Sequence, residues 1–310
     1  MSCCHHELPS AEWLEAEARL GPDQETAEEE AAVLATKAAR KEKEAQVLDV
    51  LSALKLKAAD LEAQARTEVA SVDALCAEAE ERLGPSGEPD ESPLMREIAV
   101  ASSLVEAETV VGPGPGNYHD FNPYHGWWAW YRHNEGGVTQ GSGGFSLAAR
   151  KMYAYANARG DGWGITDDNY VNTYVKLFFA LWPRRNGHVR AWVPYTTRGW
   201  YTIYANDHWY DSKSAKLDVD VSVRLHQNYW SASVRSDVFA LGGGNINRSG
   251  RIDRSGAIYS ASLPVGAERW VLAEVQLRVY AYTSGGGSTS RVSFRHPDAV
   301  FVPYVRFDFS

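Results

Sequence analysis

Cysteine is scarce in this chain. Cys3, Cys4 and Cys76 are the only three, and none lies beyond position 76. That excludes a disulfide framework from the last two-thirds of the chain. Long apolar runs are also missing: no stretch approaches the ~18 consecutive apolar residues of a spanning helix. Met1–Pro9 has neither the basic nor the apolar region of a secretory signal, so the expectation is a cytoplasmic chain, with leaderless release as the other route. Aromatics are nearly absent from residues 1–111, where Trp13 stands alone. Glycine and proline are absent from Gln24 to Leu83. The nucleotide-binding ending Gly-Lys-Ser/Thr and the EF-hand spacing are missing, which removes the common phosphate and calcium motifs.

Those absences divide the chain into two physically different parts. Residues 1–111 hold 25 Asp/Glu and 10 Lys/Arg, a balance of −15, whereas residues 112–310 hold 15 and 21, a balance of +6. Opposite signs permit head-to-tail contact between chains, or two different partners, beside the plain reading of a solvated acidic helix face. The +6 is spread thinly with no basic stripe, so nucleic acid is not expected as a partner.

The first part reads as helix. Ser10 caps a short acidic helix that Gly21-Pro22 is expected to stop. The stretch Gln24–Leu83 is rich in Ala, Glu, Lys and Leu, the strongest helix formers, and ends at Gly84-Pro85. Ser92-Pro93 opens a third helix to about Val111. Val47, Leu51, Leu54, Ala58, Leu61, Ala65, Val72, Leu75 and Ala79 form a heptad stripe, interrupted at Glu68 and Arg82. Upstream, Ala27, Ala31, Leu34, Ala38, Ala45 and Leu48 carry an offset stripe. So narrow a face needs partner helices. A coiled coil between copies, making a homo-oligomer, is the expectation. An α-hairpin, or a helix lying on its own β domain, is the alternative.

The second part reads as β. All 16 Tyr, all 9 Phe and 10 of the 11 Trp lie beyond residue 112, where Gly112-Pro-Gly-Pro-Gly116 marks a boundary. Strands are expected at 152–156, 170–182, 188–193, 200–205, 217–225, 271–282, 291–295 and 300–309, with a turn at Thr197-Arg198-Gly199. The fold class is therefore a long helix or coiled-coil region followed by an antiparallel β-sandwich of jelly-roll type, with a closed barrel as alternative. The expected organisation is a flexible tail over 1–9, a helical oligomerisation region over 10–111, a Gly/Pro linker and aromatic arm over 112–144, and the β-sandwich domain over 145–310.

Candidate sites follow from residue chemistry. Tyr124, Trp127, Trp128 and Trp130 in the arm, with Trp209 and Tyr210, form the candidate ligand-binding set, since such rings offer a sugar an apolar face and a polar edge. The other reading is that these aromatics lock the arm onto the sandwich. His119, Asp120 and His125, or Cys3-Cys4-His5-His6 shared between copies, carry metal-ligand types, and the metal question is open at this stage. Asp161–Asn169 is an acidic turn with oxygen ligands suited to calcium. His208 and Asp211 mix acid–base types without a nucleophile at diagnostic spacing. Arg248, Arg251 and Arg254 lie in a Gly-rich stretch read as a surface loop able to meet an anion. No cofactor and no catalytic residue is expected.

The function these features favour is non-enzymatic: an oligomeric assembly or binding protein that displays β-sandwich heads on helices. A glycan-binding, lectin-like head is the first alternative, and a sandwich hydrolase or lyase the second. The layout is analogous to stalk-and-head fibres and lectins, an analogy of architecture alone.

Overall fold

The computed structural model describes residues 8–54, 58–83, 111–112, 114–161, 168–206 and 213–310. Cys3–His6, the expected third helix up to residue 110, the calcium-suited positions 162–167, and His208, Trp209, Tyr210 and Asp211 lie outside the described residues.

Helix α1 (Ala11–Ala53) starts where Ser10 accepts the Trp13 N–H on its hydroxyl at 3.3 Å. It does not stop at Gly21-Pro22, and the reason is local. Proline has no N–H, so it leaves the Ala18 carbonyl, four residues back, without an intrahelical donor. Lys176 of the sheet below donates to that carbonyl at 2.8 Å. The broken rung is thus repaired from outside the helix. A second helix, α2, covers Ala58–Leu83. Among the described residues no helix is long and apolar enough to cross a membrane.

The remaining elements are strands: β1 (Val111–Gly112), β2 (Gly116–Asp120), β3 (His125–Asn134), β4 (Val138–Ser146), β5 (Lys151–Arg159), β6 (Asp168–Pro183), β7 (Gly187–Asn206), β8 (Ser214–His226), β9 (Val234–Gly243), β10 (Asn245–Tyr259), β11 (Leu263–Val265), β12 (Val271–Ser284), β13 (Thr289–Ser293), β14 (Ala299–Phe301) and β15 (Val305–Phe309). They form two sheets. In the first, the order is β9-β8-β12-β6, with β3 and β1 along the free edge of β6. In the second, β7 is central. It pairs with β10 and β11 on one edge and with β13, β14 and β15 on the other; β5 and then β4 lie beyond β13 and β14, and β2 lies beyond β15.

Successive long strands alternate between the sheets in a set pattern. If β5, β6, β7, β8, β9, β10, β12 and the β13–β15 line are counted one to eight, the second sheet runs 1-8-3-6 and the first 2-7-4-5. That is the double Greek-key winding of a jelly roll. The core between the sheets is mostly aliphatic, with Phe179, Phe294 and Phe307 buried in it, and follows strand alternation: Val189, Ala191, Val193 and Ile203 from β7 meet Val219, Val221, Val223, Val275 and Leu277 from β8 and β12.

Two readings of local sequence are corrected here. Thr197-Arg198-Gly199 is not a turn, because β7 runs unbroken for 20 residues. A Cβ at Gly199 would lie 2.6 Å from the Phe294 ring, so this glycine serves close packing. The Gly/Arg-rich stretch around Arg248, Arg251 and Arg254 is no loop. It is strand β10, paired residue for residue with β7 from Asn245 to Tyr259. Residues of the expected aromatic arm form β2, β3 and β4, one or more in each sheet.

The helices do not stand away from the sandwich. Leu14 and Ala18 of α1 pack on Trp127, Phe178 and Leu272, and Val33 packs on Tyr170 and Tyr280. Both faces of β6 and β12 are consequently buried. α2 crosses one end of the second sheet. There Glu68 accepts from Lys213 (2.7 Å) and Tyr204 (3.2 Å), and Asp73 takes Arg159 on both oxygens (2.6 and 2.7 Å). Cys76 lies on the buried face of α2, and burial raises its thiol pKa. The opposite charges of the two parts thus meet within one chain.

Candidate functional site

Strand alternation sends the tryptophans of β3 to different places. Trp127 pairs with Lys176 in register and faces α1; it is 6% exposed, with the Lys176 ammonium 5.5 Å from its ring centre. Trp128 and Trp130 face the other way, into the gap between β3 and β4. Their rings lie where Gly143 and Gly141 have no side chain: a Cβ at Gly141 would come within 2.8 Å of Trp130, and one at Gly143 within 2.9 Å of Trp128. These two rings close the open side of the sandwich. Trp128 keeps 42% of its surface exposed. Tyr124 is half-buried, and burial pushes its phenol pKa up. The described members of this set therefore do not share one open face.

The candidate metal residues separate for the same reason. Asp120 is buried and accepts the N–H groups of Ala180 and Asn122, each at 2.9 Å. Burial raises its pKa to about 6 against those hydrogen bonds. His119 points to the opposite face of β2, and His125 lies 5.9 Å from the Phe178 ring. Among the described residues no three metal-ligating side chains gather. Of the acidic turn, Asp161 pairs with Arg159 at 2.6 Å, and Asp168 accepts from the Tyr282 hydroxyl at 2.7 Å.

A different aromatic cluster emerges on the outer face of the second sheet. Four strands place His119 (β2), Arg306 (β15), Trp192 (β7) and Tyr259 (β10) side by side in one cross-strand row. The Arg306 guanidinium sits 4.6 Å from the Trp192 ring centre and donates to the Tyr259 hydroxyl at 3.1 Å. Asp308 fixes it with two hydrogen bonds of 2.7 and 3.0 Å. Arg190 lies 5.1 Å from the Tyr259 ring centre. Tyr304 extends the row: its ring is 5.8 Å from Trp192, 5.0 Å from His119 and 5.3 Å from Phe121. Burial, then the neighbouring Arg306, lowers the His119 pKa against the pull of Asp308.

This row has what a sugar-binding face requires. Aromatic rings offer apolar faces, and fixed guanidinium, carboxylate and phenol groups offer hydrogen bonds around them. Tyr259 is 44% exposed. Among the described residues α2 touches the other end of this sheet, at Tyr204, Asn206, Ser249 and Arg251, and leaves the row open. The row could not be read along the chain, because its members stand at positions 119, 192, 259 and 306. The available signal was alternation: Arg190 and Trp192 point away from Val189, Ala191 and Val193, and Arg306 and Asp308 away from Phe307.

No family model matches the chain, and no curated protein matches it. Solved structures give only remote likenesses. The enzymatically active domain of tailspike protein 4 from Bacteriophage CBA120 is 9% identical, covers 56% of this chain and 19% of its own, and has a TM-score of 0.21. The TmCBM61 structure in complex with β-1,4-galactotriose is 8% identical over 59% of this chain and 90% of its own, with a TM-score of 0.15. A family 35 carbohydrate binding module from Clostridium thermocellum is 12% identical over 62% and 97%, also at 0.15. The chain spans about a fifth of the tailspike domain. At these scores the β-sandwich rests on this chain's own strand order, not on the likenesses.

Proposed function

We propose that this chain is a non-enzymatic binding protein whose β-sandwich takes a carbohydrate on the row His119–Arg306–Trp192–Tyr259. The observation that carries the reading is that row: aromatic rings and a doubly held guanidinium, in register across four strands, on a sheet end left open by α2. The buried carboxylates support a binding role over a hydrolytic one. Asp120 is held by two backbone N–H groups, Asp298 by Arg251, and Glu274 by Lys176 and Arg224. Each has a structural partner. A screen of immobilised glycans tests the reading, with the supernatant assayed for released reducing sugar. Binding without release supports it. Release makes the protein a sandwich hydrolase or lyase, and failure to retain any glycan contradicts the reading.

A second element of the proposal is self-association. Of the expected seam, Leu51, Val72 and Ala79 are buried, with Cys76 buried beside them, whereas Leu54 and Leu75 are exposed. The upstream stripe is turned outward: Leu34 and Leu48 are exposed two heptads apart, with Ala27, Ala31 and Ala45 exposed beside them, and Leu20, outside the stripe, is exposed two heptads before Leu34. Copies joined along that stripe would present several rows at once and raise avidity without new contacts. Light scattering on Leu34→Glu/Leu48→Glu against the unaltered chain tests this. Equal masses contradict it.

A further inference from the structure

The face of the first sheet beneath α1 is built unlike an ordinary helix–sheet contact, which buries apolar surface. Three in-register rows cross β6, β12 and β8: Tyr174–Arg278–Asp220, Lys176–Gln276–Ser222 and Phe178–Glu274–Arg224. Trp127 and Tyr131 flank them from β3, and Arg235 from β9. Lys176, Gln276, Arg278, Asp220 and Glu274 are all under 9% exposed. The cations Lys176, Arg224, Arg235 and Arg278 stand among the acids Glu274 and Asp220, with Asp218 and Asp237 further along the same face. A face of aromatic rings interleaved with in-register cations and amides has the composition of a ligand-binding surface.

α1 occupies this face with carboxylates. Glu17 accepts from the Trp230 indole at 2.7 Å. Glu25 accepts from Tyr174 at 2.9 Å and from Arg235 at 2.6 Å. Glu29 accepts from Asn172 at 2.6 Å and from Arg278. Glu25 and Glu29 are one turn apart, so the helix offers carboxylates about 6 Å apart along its axis. Between the apolar anchors at Leu14/Ala18 and Val33, the contact is ionic and hydrogen-bonded. Buried ion pairs gain little net free energy over their desolvation cost, so this middle section holds the helix weakly for its area.

We infer that the outer face of the first sheet is a second ligand face, for a carboxylate-bearing polysaccharide, and that α1 is its intramolecular competitor. Uronate carboxylates take the places of Glu25 and Glu29 on Arg278, Arg235 and Tyr174, and sugar rings lie against Trp127 and Tyr131. This inference concerns a different face from the row around Trp192 and does not depend on it.

The test uses the full chain, with polygalacturonate as probe and neutral dextran as control. In Glu17→Gln/Glu25→Gln/Glu29→Gln, polygalacturonate should bind at least about tenfold more tightly than to the unaltered chain, a gain lost when Arg278→Gln is added. Dextran should show no such gain. Should the triple variant fail to fold, the unaltered chain answers alone. Saturating polygalacturonate should speed amide exchange in residues 14–33 and leave β6 and β12 protected. A folded triple variant that gains no affinity overturns the inference, as does unchanged exchange over residues 14–33.

Discussion

Replacing Lys176 by methionine probes the contact between α1 and the sandwich at its most unusual point. Lys176 is 1% exposed and has two partners, Glu274 at 3.0 Å and the Ala18 carbonyl at 2.8 Å. Burial lowers its pKa against the pull of Glu274. The substitution strips a buried carbonyl that Pro22 already deprives of its helical donor. It leaves Glu274 its Arg224 partner at 2.8 Å. Removing one member of a buried pair costs about 3–5 kcal/mol, and the surviving Arg224 contact places this case near the lower end, at about 3 kcal/mol. Glu274→Leu, which leaves Lys176 with the carbonyl alone, should cost at least as much. The double variant should cost less than the sum of the two by about 2 kcal/mol, since each single variant strands the other's partner. Urea unfolding with an unchanged m-value measures all three. A loss under about 1 kcal/mol for Lys176→Met, or strict additivity, refutes the reasoning.

Three further outcomes follow from the same packing. Trp127→Ala should cost about 3–5 kcal/mol in thermal or urea unfolding, whereas Trp128→Ala, at 42% exposure, should cost clearly less; the reverse order contradicts the placement of the two rings. Gly141→Ala puts a methyl 2.8 Å from the Trp130 ring and should destabilise by about 1–3 kcal/mol, with Trp130 fluorescence shifted; a neutral result contradicts the closed seam. Asp120 has a folded pKa of about 6, above its 3.8 reference, so the folded state binds the proton more tightly. Its contribution to stability is therefore largest below the reference value and is lost as pH rises through 6. Asp120→Asn should remove that part of the slope between about pH 4 and 6, and an unchanged slope contradicts the assignment.

Much of the architecture was legible because it follows from alternation. Leu217, Val219, Val221, Val223 and Leu225 face the core from β8, and Val275, Leu277 and Val279 do the same from β12. The charge on the intervening positions revealed their outward direction, but not that a helix would cover them. What failed locally failed for one physical cause: glycine and proline punctuate a chain only if nothing nearby needs the space or replaces the donor. Gly199 makes room for Phe294, Gly250 and Gly256 seat the rings of Tyr201 and Tyr195, and Lys176 supplies what Pro22 withholds. Those partners are between about 50 and 150 positions away, so sequence-local turn signals could not weigh them. The Trp192 row was illegible for the same reason. It exists only in the register of β2, β15, β7 and β10.

The central claim, that this row receives a carbohydrate, is tested most directly by calorimetric titration. The unaltered chain, Trp192→Ala and Trp128→Ala are each titrated with a glycan that the unaltered chain retains on a screening surface. Stacking on Trp192 predicts at least about a tenfold loss of affinity for Trp192→Ala, with Trp128→Ala binding as the unaltered chain does. Undiminished binding by Trp192→Ala, with loss in Trp128→Ala, would contradict the account and move the site to the seam between β3 and β4.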